Sequence, residues 1–152
     1  LPKNTVPTLD PELLGESPLR RLDKFRNTLE QELNEYNVQE AAGPLPLRDR
    51  LIAFQAMTLD THTAEQIEDA RQDMLTDLGD WFADIVVYCT SEAMKFGLPL
   101  TDIQDAVMGS NFTKLASDGI PKYDDNGKFQ KDLTNFVPPE PAIKTLMFVD
   151  QE

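Results

Sequence analysis

Apolar residues recur at steps of three and four along most of the chain, which is the spacing of one helix face. The pattern predicts helices over about 19–41, 48–58, 63 to 95 or 96, and 101 to between 110 and 114. Thr61 or Thr63 is the expected cap of the third helix, with Glu65 or Gln66 in its first turn. Gly97 is the expected end of that helix.

Both ends of the chain lack the helical pattern. Residues 1–18 contain four prolines and Gly15, which predict an extended N-terminal arm. Residues 121–131 predict a small hairpin that turns at Asn126-Gly127. The length of 152 residues suits one compact domain. We therefore expect an all-α domain over 19–152, a bundle of four to five helices with a small C-terminal β-hairpin.

One stripe of the long predicted helix is acidic, with steps of three or four residues from Asp69 through Asp73, Asp77 and Asp80 to Asp84. The stripe ends inside the most apolar stretch of the chain, residues 81–88. An unpaired carboxylate buried there would be costly, so it is usually paired, protonated or bound to metal. A solvated face is the simpler interpretation for Asp69 and Asp73.

The first predicted helix carries a second acidic pair, Glu32 and Glu35, on one face. If the two helices pack antiparallel, these residues meet Asp80 and Asp84. Four carboxylates are hard oxygen ligands that suit Mg²⁺ or Mn²⁺. Glu30 is more simply interpreted as part of a solvated face.

The net charge is −13, with 27 acidic against 14 basic residues, and it argues against binding to a nucleic-acid polymer. The single cysteine, Cys89, cannot form an internal disulfide and indicates a reducing, cytoplasmic compartment. No apolar run approaches the ~20 residues of a membrane span. With one cysteine and one histidine, His62, zinc and Glu-x-x-His di-iron sites are excluded.

A polar cluster follows the last predicted helix. Asn111 and Lys114 are three residues apart, and the lysines that follow are Lys122, Lys128 and Lys131. Such a group could contact phosphate oxygens. An ordinary solvated ribbon is an equally open interpretation.

In their order, these motifs resemble the all-α nucleoside triphosphate pyrophosphohydrolases, a superfamily that includes MazG-like proteins and phosphoribosyl-ATP pyrophosphohydrolases. The matching segments are Gln31-Glu32-Leu33-Asn34-Glu35, Asp80-Trp81-Phe82-Ala83-Asp84, Ser110-Asn111-Phe112-Thr113-Lys114, Asp118-Gly119, Gly127-Lys128-Phe129-Gln130-Lys131 and Pro138-Pro139. Gln31 stands where the family usually has its first glutamate.

The resemblance implies an enzyme that hydrolyses a nucleoside or deoxynucleoside triphosphate to the monophosphate and pyrophosphate, as nucleotide-pool housekeeping. It implies that Glu32, Glu35, Asp80 and Asp84 hold Mg²⁺, with Glu32, Glu35 and Asp84 catalytic. It further implies that Asn111, Lys114, Lys128 and Lys131 bind substrate, and that the bundle is completed in a homodimer or homotetramer.

Two alternatives remain open. One is a phosphoribosyl-ATP pyrophosphohydrolase. The other is a nucleotide-binding protein that has lost catalysis, since Gln31 replaces a glutamate of the family pattern.

Overall fold

The computed structural model describes residues 4–39, 41–116 and 118–149. Its elements, in chain order, are α1 (Pro11–Leu14), α2 (Pro18–Asn34), α3 (Leu47–Gln55), α4 (Ala64–Lys95), α5 (Leu100–Phe112), β1 (Lys122–Tyr123), β2 (Phe129–Gln130) and α6 (Glu140–Phe148). The prediction of a predominantly helical chain with a small antiparallel hairpin is confirmed. No helix in these ranges is both long enough and apolar enough to cross a membrane.

The chain forms two compact units. The first contains Leu9–Glu92, and the second begins at Ala93 and takes in the described N-terminal residues through Thr8. The first unit holds both acidic motifs, whereas the second holds the asparagine and lysines of the later segment.

The predicted N-terminal arm is only partly extended. Its residues 1–3 lie outside the described ranges, and α1 forms inside it because Asp10 caps the turn by accepting a hydrogen bond from the Glu12 N–H at 3.0 Å. Pro11 is tolerated there because the first helical position needs no N–H. Ser17 and Pro18 repeat this arrangement at the start of α2, where the Arg20 N–H donates to the Ser17 hydroxyl at 3.2 Å.

Helix α2 ends at Asn34, well before the predicted end at residue 41. The returning chain explains the difference, because the Leu47 and Arg48 N–H groups donate to the carbonyls of Glu35 and Tyr36 at 3.2 and 2.8 Å. A continuing helix would have used these acceptors for its own N–H groups. Glu40, in the predicted last turn, lies outside the described residues.

Both predicted ends of α4 are confirmed. The Gln66 N–H donates to the Thr63 hydroxyl at 3.1 Å and the Thr63 N–H donates to the Gln66 side chain at 2.9 Å, which is a capping box. Gly97 has φ +69° and the Leu98 N–H donates to the Ala93 carbonyl at 2.9 Å, as in a Schellman end. The next helix, predicted from residue 101, starts one residue earlier, because α5 begins at Leu100 after Pro99 and has no side-chain cap.

In the second unit, two hydroxyl groups join the end of α5 to the segment before α6. Ser110 donates to the Val137 carbonyl at 2.6 Å, and the Val137 N–H donates to the Thr113 hydroxyl at 2.9 Å. The hairpin pairs Lys122 with Gln130 and Tyr123 with Phe129. Its turn uses Gly127 at φ +78°, which confirms the predicted Asn-Gly turn.

The apolar stretch of α4 is not a dry core. Phe82, Val86 and Val87 are 59%, 56% and 58% exposed. Buried hydrophobic side chains lie elsewhere, at Leu14, Leu47, Met74, Ala93 and Phe96. The expectation that Asp84 is embedded in the core is therefore not met, because several of its apolar neighbours face outward.

A buried ion pair joins α2 to α4 in the first unit. The Arg21 guanidinium donates to both carboxylate oxygens of Glu92, at 2.9 and 3.1 Å, and both residues are buried. Arg21 also lies 3.4 Å from Glu16, which in turn accepts a hydrogen bond from Lys24 at 2.7 Å. Such two-pronged pairs fix geometry as well as charge.

We expect Arg21→Ala to lower the free energy of unfolding by about 3–5 kcal/mol, because it removes the guanidinium from a buried carboxylate. Arg20→Ala is the matched control, since Arg20 contacts Glu16 from a side chain that is 73% exposed, and exposed pairs contribute about 1 kcal/mol or less. Urea unfolding of both variants measures the difference. Equal effects would show that the buried pair does not join the helices.

Candidate acidic site

Trp81 fixes α4 against the end of α2. Its indole N–H donates to the Glu32 carbonyl at 2.8 Å, and its ring stacks on Tyr36 with centroids 6.2 Å apart and planes at 24°. Trp81 lies on α4 between Asp80 and Asp84, so this contact brings the acidic pair of α4 to the acidic pair of α2.

Glu32 is the buried carboxylate of the site. It is 8% exposed, and its Oε1 is buried with no hydrogen-bond partner among the described residues. Burial raises the pKa of Glu32, and the charges of Glu35, Asp84 and Asp80 raise it further.

Glu35, Asp80 and Asp84 lie near enough for their charges to act on Glu32, but the burial of these four carboxylates differs from that expected. Asp84 is half-buried, whereas Glu35 and Asp80 are exposed. Glu35 lies just past the end of α2, at its C-cap. The most desolvated charge belongs to Glu32 rather than to Asp84. Sequence reasoning missed this because Glu32 lies in a polar stretch of the sequence, where the pattern gives no sign of burial.

Glu32 and the carboxylates around it are oxygen ligands of the kind that divalent cations prefer. Every charged group that acts on the Glu32 pKa is another carboxylate, and an unpartnered buried carboxylate oxygen is usually compensated by a cation or a proton. In their present positions, no three acidic, histidine or cysteine side chains within the described ranges are grouped closely enough to hold a metal. Ligand binding would therefore need side-chain rearrangement, for which the exposed Glu35 and Asp80 have room.

Four other polar residues on α2 and α4 face solvent. Glu30, Gln31, Asp69 and Asp73 are all exposed. For Glu30, Asp69 and Asp73, this agrees with the interpretation of a solvated face. Gln31 is next to Glu32 in sequence but on the exposed side of α2.

Arg50 is a charged residue beside the site that the sequence did not single out. Its side chain donates to the Leu45 carbonyl at 3.0 Å and forms an ion pair with Asp77, one turn before Asp80 on α4. Arg50 and Glu35 both line a small cavity of about 140 Å³ under the returning chain. Arg50 lies beside Glu35 because α2 ends at Asn34 and the chain turns back, and no local pattern in the sequence predicts that helix end.

The second unit brings Asn111 and Lys114 together. The Lys114 ammonium donates to the Asn111 side-chain oxygen at 3.1 Å and lies 5.2 Å from the centre of the Phe136 ring. Lys122 is paired with Asp118 at 2.9 Å. Lys128 and Lys131 are exposed, and their ammonium groups have no partner among the residues described. Both therefore remain accessible to an anion.

Comparison of the chain with protein-family models, curated proteins and solved structures finds no match. The functional interpretation therefore depends on the chemistry of the site.

Glu32→Gln tests the desolvated charge. In metal-free buffer at neutral pH we expect this variant to be more stable than the parent by about 1–3 kcal/mol, because the amide relieves desolvation and repulsion. A raised folded-state pKa means that the parent loses stability as pH rises from about 4.5 through the folded pKa of Glu32. The difference in the free energy of unfolding between the variant and the parent should therefore increase over this pH range and stay constant above it.

Urea unfolding in a chelator across this pH range measures both effects. Glu30→Gln, an exposed neighbour on α2, is the control and should change stability little. A Glu32→Gln variant that is less stable than the parent at every pH would contradict a desolvated carboxylate.

Proposed function

We propose that this protein is a Mg²⁺-dependent hydrolase that cleaves a nucleoside or deoxynucleoside triphosphate to the monophosphate and pyrophosphate, as in the family that its motifs resemble. One observation carries the proposal. Glu32 holds a buried, unpartnered carboxylate oxygen among three further carboxylates. A structural role would favour a basic partner there, whereas a cation-dependent site needs such a set of oxygen donors.

Glu32, Glu35, Asp80 and Asp84 are the proposed ligands of the cation. When bound, Mg²⁺ neutralises phosphate charge and lowers the pKa of a bound water. Glu32 supplies an anionic oxygen shielded from bulk water, where its attraction to a cation is strengthened by low dielectric. Asp84 is half-buried and its charge acts on Glu32, so its proposed role is to accept a proton from a water at the edge of the site.

Trp81 and Arg21 act as positioning residues. Trp81 fixes Asp80 and Asp84 relative to the Glu32 carbonyl, and the Arg21–Glu92 pair fixes the same two helices at a second point. Two fixed points limit both sliding and rotation of α4 on α2. Such restraint keeps carboxylates in place that would otherwise repel one another.

The proposed contacts with substrate phosphates come from Asn111, Lys114, Lys128 and Lys131. Lys128 and Lys131 support this role by their exposure, since an ammonium without a partner can bind phosphate without first breaking a salt bridge. Lys114 shares its charge with the Asn111 amide and the face of Phe136, both weaker partners than a carboxylate.

A homodimer or homotetramer is part of the proposal. On α4, Phe82, Val86 and Val87 expose an apolar surface next to the acidic site. Contiguous exposed apolar surfaces of this kind commonly mark protein–protein contacts. A reducing cytoplasmic compartment also belongs to the proposal and is supported by the free thiol of Cys89.

The test is pyrophosphate release from a panel of ribo- and deoxyribonucleoside triphosphates and phosphoribosyl-ATP with Mg²⁺. We expect Asp84→Asn to lower kcat/KM by about 100-fold or more, the size of loss typical for a charged group at a reacting centre. Asp69→Asn is the control, an exposed acid on the same helix that should leave turnover unchanged.

Each other result has a defined meaning. Release from phosphoribosyl-ATP alone would replace the proposed substrate with that one. No release from any substrate, together with Mg²⁺-dependent nucleotide binding, would favour a binding protein and overturn the hydrolase. Equal turnover by Asp84→Asn would remove Asp84 from the site.

A further inference from the structure

A larger cavity in the first unit lies beside the acidic site and has no role in the chemistry described so far. It is open to solvent and lined by residues of α3, α4, the segment before α3 and the loop between the two helices, and its volume is about 540 Å³. This is within the range of about 300–1,000 Å³ that small-molecule sites occupy. Its apolar walls include Phe54, Met57, Ala70 and the buried Met74.

Polar groups occupy one side of this cavity. Arg50 is oriented by the Leu45 carbonyl and Asp77, whereas the Asp73 carboxylate is exposed and has no hydrogen bond or ion pair among the described residues. An ionised carboxylate only accepts hydrogen bonds. The Asp73 carboxylate therefore requires a ligand that donates, beside His62, which also lines the cavity and whose Nδ1 lies 2.8 Å from the Thr61 hydroxyl.

The distance between the cavity and the acidic site is comparable to the length of a nucleotide. Asp77 lines it, and Asp84 lies two turns further along α4, about 10 Å at 1.5 Å per residue. Arg50 lines both this cavity and the smaller one that Glu35 borders. A nucleotide extends over a comparable distance between its base and its phosphates.

We propose that this cavity binds the base of the substrate nucleotide, and that it selects bases carrying an exocyclic amino group. This rests on the proposed function for the position of the triphosphate. The amino group donates to Asp73, the guanidinium of Arg50 donates to an adjacent ring nitrogen or carbonyl oxygen, and the apolar walls cover the faces of the ring. Uracil, thymine and hypoxanthine place a carbonyl oxygen at the amino position, where Asp73 repels it.

Free nucleosides test the proposal without any need for turnover. Deoxycytidine and deoxyuridine differ in having an amino group or an oxygen at one position, and so do deoxyadenosine and deoxyinosine. Ligand-observed NMR titration should show that the amino member of each pair binds about tenfold more tightly, as expected for one hydrogen bond to a charged acceptor. Asp73→Asn should remove the preference, while Asp69→Asn should retain it.

A second variant fills the cavity. Ala70→Trp should abolish binding of all four nucleosides, whereas Ala64→Trp, at an exposed position on the same helix, should not. With inorganic tripolyphosphate, which has no base, Ala70→Trp should retain the parent's affinity in the presence of Mg²⁺. That control separates a filled cavity from a disrupted fold.

The two proposals fail in different ways. Nucleoside binding with an amino preference, but no pyrophosphate release, supports the cavity and overturns the hydrolase. Pyrophosphate release that is unchanged by Ala70→Trp and shows no amino preference overturns the base site alone. Absence of binding by the parent to all four nucleosides also overturns the base site, whether or not triphosphates are cleaved.

Discussion

The burial of one carboxylate, that of Glu32, is the constraint on which the rest of the first unit depends. Removing a charge from water and placing it among other acids is unfavourable by itself. The helices can hold it there only because other contacts fix them: Trp81 donates to the Glu32 carbonyl, and Arg21 pairs with Glu92. The site is therefore built at a cost in stability, as expected where charge has a chemical use.

The same constraint explains features that look unrelated. The chain leaves α2 at Glu35 and returns to its carbonyl, so Glu35 lies at a helix end beside Arg50. Arg50 itself pairs with Asp77, one turn before Asp80 on α4. The apolar side chains next to Asp84 face outward, where another copy of the chain is proposed to pack.

Local signals in the sequence were sufficient for much of the helical fold. The Thr63–Gln66 capping box, Gly97 and the Asn-Gly turn each have a short-range cause, and all were predicted correctly. The early end of α2 was not predicted, because contacts with a distant segment produce it. Sequence spacing also singled out the carboxylates whose charges act on one another, but it placed the buried charge at Asp84 rather than Glu32. Burial depends on tertiary contacts such as that of Trp81 with the Glu32 carbonyl, which helical periodicity does not encode.

The most direct test of whether Glu32 binds a cation is titration with Mn²⁺, followed by the EPR signal of the free ion. The parent protein should bind Mn²⁺ in competition with Mg²⁺. Glu32→Gln should weaken this binding by about 10-fold or more, as removal of a ligand or its direct support does in other sites, while Glu30→Gln should not. Binding that is absent in the parent, or equal in all three proteins, would contradict a cation site at Glu32.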